Sequence, residues 1–287
     1  MKYGAVCSPG TATNPSNYYV QADILYRMHA TTARVSMFFE SPESRRYDNQ
    51  GLDTLRGAGL TEMIIQSSET ADAGLADREL SLCQGYIDAH PETLFVFELG
   101  NEPNQTTDDA ATARSKRLTT IRDVKPKYAV RPDGSPRSNL LWAINMPSQN
   151  DDGSYFNAFV NDFANDGLGN LLTGPNQPDV VTVHCYGFAT LCRGDSQAPY
   201  KLIDWVRGYT DKNIKVTESG IFDGVTVLPD SVRGPRYVEF AEKVSASGGG
   251  NLDSVCFYGT PEVESWFTIS GGLADTIGSR ASANDCG

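Results

Sequence analysis

The chain lacks the features that define several large classes of protein. No apolar stretch approaches the roughly 20 residues of a membrane-spanning helix, so we expect no membrane span. Basic residues are scarce, because 24 Lys and Arg stand against 36 Asp and Glu, a net charge of −12. Nucleic-acid-binding surfaces are usually basic, so we expect no nucleic-acid partner. With 39% hydrophobic residues among 287 and no low-complexity tract, the composition is that of a globular protein.

Signatures of metal and cofactor binding are also lacking. The six cysteines have no paired CxxC spacing, which argues against a zinc site. The turn after the first predicted strand, Ser8–Thr11, lacks the glycine pattern of a dinucleotide fingerprint. We therefore expect no metal and no cofactor. Cys185 and Cys192 bracket one short loop, so they either form a disulfide in an oxidising compartment or remain free thiols, as is usual in the cytosol.

The first residues carry no secretory signal, because Met1–Tyr3 runs directly into the first predicted strand. Either the protein stays in the cell that makes it, or a signal peptide has been removed ahead of this start. We expect an extracellular or secreted protein, with a cytoplasmic location as the alternative. We also expect a monomer.

Short β-rich runs alternate with helical patterns along the whole chain. The eight predicted strands begin near Tyr3, Thr32, Thr61, Leu94, Asn139, Asp179, Asn213 and Asp253. Between them, apolar residues recur at helical spacing. The clearest stripes are Val20, Ile24, Leu25 and Met28; Leu202, Trp205, Val206 and Tyr209; and Tyr237, Phe240, Ala241 and Val244. Eight βα units in about 250 to 300 residues predict a (β/α)8 TIM barrel.

We expect a single α/β domain that spans residues 1–287. An open, doubly wound sheet is the alternative, but such sheets usually carry a glycine-rich turn after the first strand. The polar stretch Lys125–Ser138 predicts a long αβ loop on the bottom face of the barrel, not a domain boundary. Trp142 and Trp205 lie within a predicted strand and a helical stripe, so we expect both in the core.

Two glutamates follow predicted strands at positions where a barrel places its active site. Glu102, in Asn101–Pro103, comes after the fourth strand, and Glu218 ends the seventh strand. Strands four and seven face each other across a small barrel, so both carboxylates can reach one cleft. A pair of carboxylates is what glycoside hydrolysis requires. The alternative is that Glu102 merely opens a loop and Glu218 caps a turn.

The segments Leu99–Pro103 and Val216–Gly220 resemble those of the retaining glycoside hydrolases of clan A, in family 39-like or family 5-like members. The resemblance extends to Val183–Gly187 on strand six, where the clan often places His and Tyr, and to Arg34 on strand two. Gly272–Asp275 resembles the entry to the last helix in family 39-like members. The resemblance implies a (β/α)8 barrel with an Asn-Glu acid/base and a Glu nucleophile.

On this resemblance, Glu102 is the expected acid/base and Glu218 the expected nucleophile. The acid needs a raised pKa, which a second carboxylate nearby helps to provide. Asn101 can donate its amide to a sugar 2-hydroxyl. Arg34 either keeps Glu218 ionised or ties barrel strands together, and Tyr186 can orient Glu218.

Three further residues are expected to bind substrate. His184 lies at the end of strand six beside the presumed cleft. Many clan members have a tryptophan on strand eight beneath the sugar, where this chain has Cys256, Phe257 and Tyr258. We expect Tyr258 at this subsite and Trp266, in the following loop, to supply the stacking surface.

The leading hypothesis is therefore a retaining β-glycoside hydrolase that acts on a polysaccharide or oligosaccharide. The chain is near the minimal barrel length, so few insertions can wall off a pocket, which favours endo attack. A non-catalytic carbohydrate-binding barrel is the second hypothesis. A phosphate-handling barrel is the third, because Gly271-Gly272 follows strand eight, where such barrels often bind phosphate.

Overall fold

A computed structural model describes residues 2–7, 16–36, 49–148, 153–161, 169–188, 198–222, 229–247, 252–257 and 269–284. Within them, eight parallel strands form one closed barrel in chain order. The strands are β1 (Lys2–Cys7), β2 (Thr32–Ser36), β3 (Glu62–Gln66), β4 (Leu94–Leu99), β5 (Leu140–Asn145), β6 (Val180–Phe188), β7 (Ile214–Phe222) and β8 (Leu252–Phe257). The predicted TIM barrel is confirmed.

A helix follows each strand among the described residues. The helices are α1 (Ser16–Arg27), α2 (Asn49–Arg56), α3 (Ala73–Ala89), α4 (Ala110–Asp123), α5 (Ser154–Val160), α6 (Ala198–Arg207), α7 (Asp230–Ser247) and α8 (Gly271–Asn284). Asp72 and Asp109 cap the amino ends of α3 and α4, because each side chain accepts a hydrogen bond from a first-turn N–H. None of these helices, over the described part of the chain, is long and apolar enough to cross a membrane.

The inside of the barrel is apolar at mid-height. Successive residues of a strand face opposite sides, so alternate residues point to the barrel axis. A buried cluster contains Val6, Ile64, Val96, Ala143, Val180 and Cys256. The next inward-facing residues on three of these strands lie two positions closer to the carboxyl-terminal end of the barrel. They are polar: Glu98, Asn145 and Thr182. These apolar residues therefore lie below a polar upper layer, and the buried Arg34 shares their level because it pairs with Val6 and Ile64.

A buried ion-pair cluster lies at the amino-terminal end. Lys215 Nζ is 2.8 Å from both Glu62 Oε2 and Asp253 Oδ1, and Lys2 Nζ is 2.7 Å from the same Glu62 oxygen. Burial raises the pKa of Glu62, but Lys215 and Lys2 outweigh that effect and hold the pKa below its usual value. These ion pairs join β1, β3, β7 and β8 at the amino-terminal end of the barrel, opposite the end at which barrel enzymes have their active sites.

The structure differs from the sequence predictions in small respects. Val20, predicted in the inward stripe of α1, is exposed, whereas Ile24, Leu25 and Met28 of that stripe are buried. The stretch 125–138 is partly ordered, with a short 3-10 helix at Lys125–Tyr128 and an antiparallel bridge between Val130 and Pro136. Cys185 is a buried free thiol, and Cys192 lies outside the described residues.

Candidate active site

The backbone after β4 turns sharply and presents Glu102 to the barrel mouth. Gly100 has φ of 74° and Glu102 has φ of 28°, in the left-handed region that a glutamate rarely occupies. The positive φ at position 100 favours glycine, and a side chain there would also crowd the carbonyl oxygen of Glu69 and displace the guanidinium of Arg117. The N–H of Glu102 donates to Asn145 Oδ1 at 2.8 Å. Strained backbone of this kind is held by its surroundings and is frequent at functional sites.

A bulge on β7 directs Glu218 into the same cleft. In the pairing with β6, Val183 lies opposite Val216 but His184 lies opposite Glu218, so Thr217 is the extra residue. Neighbouring side chains of a regular strand point to opposite faces of the sheet. Thr217 and Glu218 are neighbours, and both can point to the inside of the barrel only because of this bulge. Thr217 Oγ1 donates to the buried carboxylate of Glu98 at 2.7 Å. The bulge therefore fixes both the strand end and the direction of Glu218.

Arg34 connects three groups from below. Its Nε donates to Glu98 Oε2 at 2.6 Å, its Nη2 donates to Asn101 Oδ1 at 2.9 Å, and its Nη1 donates to Glu218 Oε1. Its side chain is 1% exposed. Burial lowers the pKa of Arg34, but the carboxylates of Glu98 and Glu218 raise it above its usual range. A permanent cation therefore lies against Glu218.

Tyr186 and His184 complete the surroundings of the two glutamates. Tyr186 Oη donates to Glu218 Oε2 at 2.5 Å. His184 Nδ1 lies 3.0 Å from Glu102 Oε1 and 3.5 Å from Glu218 Oε2. Because Glu102 Oε1 and Glu218 Oε2 both lie near this nitrogen atom, the distance between the two oxygens is at most 6.5 Å. The structure thus brings both predicted carboxylates into one cleft.

The protonation balance of Glu102 differs from the expectation of a raised pKa. Burial raises the pKa of Glu102, but the hydrogen bond with His184 and the positive charge nearby, including Arg34, lower it below the usual value. For His184, burial lowers the pKa, whereas Glu218 and Glu102 raise it above the usual value. The sequence predicts that His184 binds substrate; in the structure its ring is buried and contacts both carboxylates.

Two residues that sequence reasoning missed lie directly beneath the site. Glu98 is fully buried and accepts hydrogen bonds from Arg34, Thr217 and Asn145. Asn145, also fully buried, contacts Glu102 through its oxygen and His184 through its nitrogen. The sequence contains a signal for each of these residues. Glu98 is the single charge in the otherwise apolar strand Leu94–Leu99, and Asn145 is a polar residue at the end of an apolar strand.

Of the other residues predicted to bind substrate, the structure describes Asn101 but not Tyr258 or Trp266. Asn101 contributes its oxygen to Arg34, and its Nδ2 makes no hydrogen bond to any residue the structure describes. That nitrogen is therefore free to donate to a ligand. Tyr258 and Trp266 lie outside the described residues. Trp142 is buried and Trp205 packs against the core, as predicted.

The chain was compared with family models, with curated proteins and with solved structures. No family model matches the chain. No curated protein matches it either. Solved structures do match, at sequence identities of about 14%, so low that they show the fold alone.

Three of these structures give the likeness in detail. A structure of two fungal β-1,4-galactanases is 14% identical with a TM-score of 0.58, and the match covers 90% of each chain. The endo-1,4-β-mannanase from Rhizomucor miehei is 14% identical with a TM-score of 0.59, covering 100% of this chain and 95% of that one. Gas2p of Saccharomyces cerevisiae in complex with laminaripentaose is 14% identical with a TM-score of 0.61, covering 94% and 59%.

Proposed function

We propose that residues 1–287 form the catalytic barrel of a retaining β-glycoside hydrolase of clan A. The observation that carries the proposal is the pair Glu102 and Glu218 at the ends of β4 and β7, with their facing oxygens within 6.5 Å of each other. Carboxyl groups stand about 5 to 5.5 Å apart in retaining glycosidases and about 6.5 to 9.5 Å apart in inverting ones. The upper limit includes the retaining spacing and meets the inverting range only at its lower edge, which supports a retaining pair.

The surroundings of the two carboxylates favour one assignment of roles. Glu218 has a different donor on each oxygen, the cation Arg34 on Oε1 and the hydroxyl of Tyr186 on Oε2. Two such donors hold the carboxylate in one orientation and stabilise its negative charge, as a nucleophile requires. Glu102 contacts His184 and has a more exposed side chain, 20% against 12%. Glu102 is therefore free to exchange a proton with the leaving oxygen and then with water.

The reaction then follows two displacements. Glu218 attacks the anomeric carbon while the proton of Glu102 passes to the leaving oxygen, which gives a covalent glycosyl-enzyme. Glu102, now a carboxylate, takes a proton from water, and that water displaces Glu218. Asn101 is positioned to donate its amide to the 2-hydroxyl, a bond that strengthens in the transition state. The starting configuration is restored.

We propose a β-linked polysaccharide or oligosaccharide as the substrate and endo attack as the mode. The names of the matched barrels, β-1,4-galactanase and endo-1,4-β-mannanase, support this class of substrate. A polymeric substrate also agrees with the expectation of an extracellular or secreted protein.

Released reducing ends should be measured on galactan, mannan and laminarin, with the anomeric proton of the first product followed by NMR. We expect a β-configured first product. Binding without turnover on every substrate would favour the non-catalytic carbohydrate-binding barrel instead.

The dependence of kcat/KM on pH should reveal the low pKa of Glu102. The first step needs protonated Glu102, and this form is lost as the pH rises through its pKa, which lies below the usual value of 4.5. We therefore expect an acidic optimum and a fall of about 100-fold between pH 5 and pH 7, because kcat/KM reports groups of the free enzyme. Circular dichroism at each pH separates this fall from unfolding. A plateau that extends to pH 7 would contradict the assignment of Glu102 as the acid.

A further inference from the structure

Asn145 occupies a position from which it controls the proton on His184. It ends β5, between the strands that carry Glu102 and His184, and it is fully buried. Its Oδ1 accepts the N–H of Glu102 at 2.8 Å. Its Nδ2 lies 3.2 Å from Glu98 Oε1, 3.2 Å from Thr182 Oγ1 and 3.1 Å from His184 Nε2. All contacts of this amide are thus within the layer beneath the carboxylates.

These contacts allow only one orientation of the Asn145 amide. The oxygen must face the N–H of Glu102, which can only donate. The nitrogen must face the carboxylate of Glu98, which is held by Arg34 and Thr217 and can only accept while ionised. A flipped amide would set two donors against each other at Glu102 and two oxygens against each other at Glu98. Of the two N–H groups on Nδ2, one meets Glu98, and the other lies between Thr182 Oγ1 at 3.2 Å and His184 Nε2 at 3.1 Å.

Because an amide nitrogen donates and does not accept, a hydrogen bond between Asn145 Nδ2 and His184 Nε2 requires a lone pair on Nε2. We propose that Asn145 is a positioning residue that holds His184 as the Nδ1–H tautomer, so that the ring donates to Glu102. This role rests on the proposed function of Glu102 as the acid/base. The hydrogen on Nδ1 points at Glu102 Oε1 at 3.0 Å, with Glu218 Oε2 next nearest at 3.5 Å. Where two ring nitrogens are distinct, the partner of one decides the role of the other.

The charges around His184 make this control necessary. Glu102 and Glu218 face Nδ1 and favour a doubly protonated ring, while Arg34 disfavours it. Glu98 lies behind Asn145 and reaches the ring only through the amide. An imidazolium would place two N–H groups against each other at 3.1 Å. The Asn145 amide thus opposes the pull of the two carboxylates and keeps the N–H of His184 directed at Glu102, while the proton that Glu102 gives to the leaving oxygen is regained from water.

The first test is the protonation of His184 in the resting protein, measured by ¹⁵N-detected imidazole correlations on the labelled full chain. The chain has three histidines, and His184→Gln identifies the signal. We expect one protonated nitrogen, Nδ1, and one unprotonated nitrogen, Nε2, at pH 8, above the ordinary titration range of imidazole. Protonation of Nε2 in the unmodified protein would overturn the proposal. This readout needs no substrate, so it stands or falls separately from the glycosidase assignment.

The second test compares Asn145→Asp and Asn145→Ala with the unmodified protein. The aspartate variant has an acceptor in place of the donor, so we expect protonation at Nε2, and the alanine variant should show a mixture of tautomers. Because the effect passes through Glu102, kcat/KM should fall about 100-fold on an oligosaccharide, whose leaving group needs the acid. It should fall little on a dinitrophenyl glycoside, whose leaving group does not. Equal losses on the two substrates would overturn the proposal.

A matched control comes from the other end of the same strand. Asn139, just before β5, is also buried, and its Nδ2 donates to the carbonyl oxygens of Ile87, His90 and Thr93. Asn139→Ala removes the same group at a distance from the cleft. We expect it to lower the unfolding midpoint while leaving both the His184 tautomer and the ratio of the two kcat/KM values unchanged. A changed ratio in this control would overturn the proposal by showing that the ratio follows stability.

Discussion

Replacement of Glu218 by alanine is expected to remove nearly all activity, about 10⁶-fold in kcat, on every substrate. Without the carboxylate no glycosyl-enzyme can form, and a good leaving group does not compensate for a missing nucleophile. The variant should fold, because Glu218 projects from a strand end that Thr217 and the β6–β7 pairing hold independently. Glu69→Ala, an exposed glutamate in the loop after β3, is the matched control and should retain full activity.

Replacement of Glu102 by alanine is expected to have a substrate-dependent effect. On an aryl glycoside with an activated leaving group, the first step needs no acid, so the product should appear in a burst while the glycosyl-enzyme accumulates. The second step still needs a base and should be slowed by about 10² to 10⁴. On an oligosaccharide both steps should be slow. Stopped-flow release of the phenol separates the burst from the steady state.

Azide should distinguish the two variants without any structural assumption. In Glu102→Ala it attacks the α-linked glycosyl-enzyme without help from a base, restores turnover and gives a β-glycosyl azide. In Glu218→Ala it enters the space of the missing carboxylate and gives an α-glycosyl azide. Swapped configurations would mean that the pair is right and the roles are reversed. Full activity in either alanine variant would place the reacting groups elsewhere.

The barrel and the position of the glutamates could be predicted because both depend on short-range patterns. Apolar runs mark the strands, and each predicted strand begins within one residue of the observed one, as for Thr61 against Glu62 and Asp253 against Leu252. A parallel barrel then places every strand end on one face. Glu102 and Glu218 follow from that arrangement. The prediction for Val20 is wrong because a helical stripe has an edge, and residues at the edge of a stripe can face solvent.

The parts that could not be predicted depend on the pairing of strands. The bulge at Thr217 exists only in the register between β6 and β7, and Asn145 reaches Glu102 only because β4 and β5 are neighbours. The left-handed backbone of Glu102 depends on the same contact. The low pKa of Glu102 could not be predicted because the sequence argument considers only the second carboxylate, whereas in the structure burial raises this pKa and the contacts with His184 and Arg34 lower it.

Replacement of Arg34 by methionine is expected to lower both stability and activity. Arg34 holds Glu98, Asn101 and Glu218 at once, and its loss leaves the fully buried Glu98 carboxylate without a cation. Breaking a buried ion pair from one side costs about 3 to 5 kcal/mol of unfolding free energy. Loss of a donor that orients a reacting group costs about 10² to 10³ in kcat/KM. Urea unfolding and kcat/KM on an aryl glycoside measure the two effects.

The two roles considered for Arg34, as a structural tie or as a partner of the nucleophile, separate in a double variant. Glu98→Gln added to Arg34→Met removes the unpaired buried charge, so most of the lost stability should return. Activity should not return, because Glu218 and Asn101 still lack their donor. Arg56→Met, which breaks surface pairs with Asp53 and Glu92 and a contact with Tyr86, should cost less than about 1 kcal/mol. If activity recovers together with stability in the double variant, Arg34 serves the barrel and not Glu218.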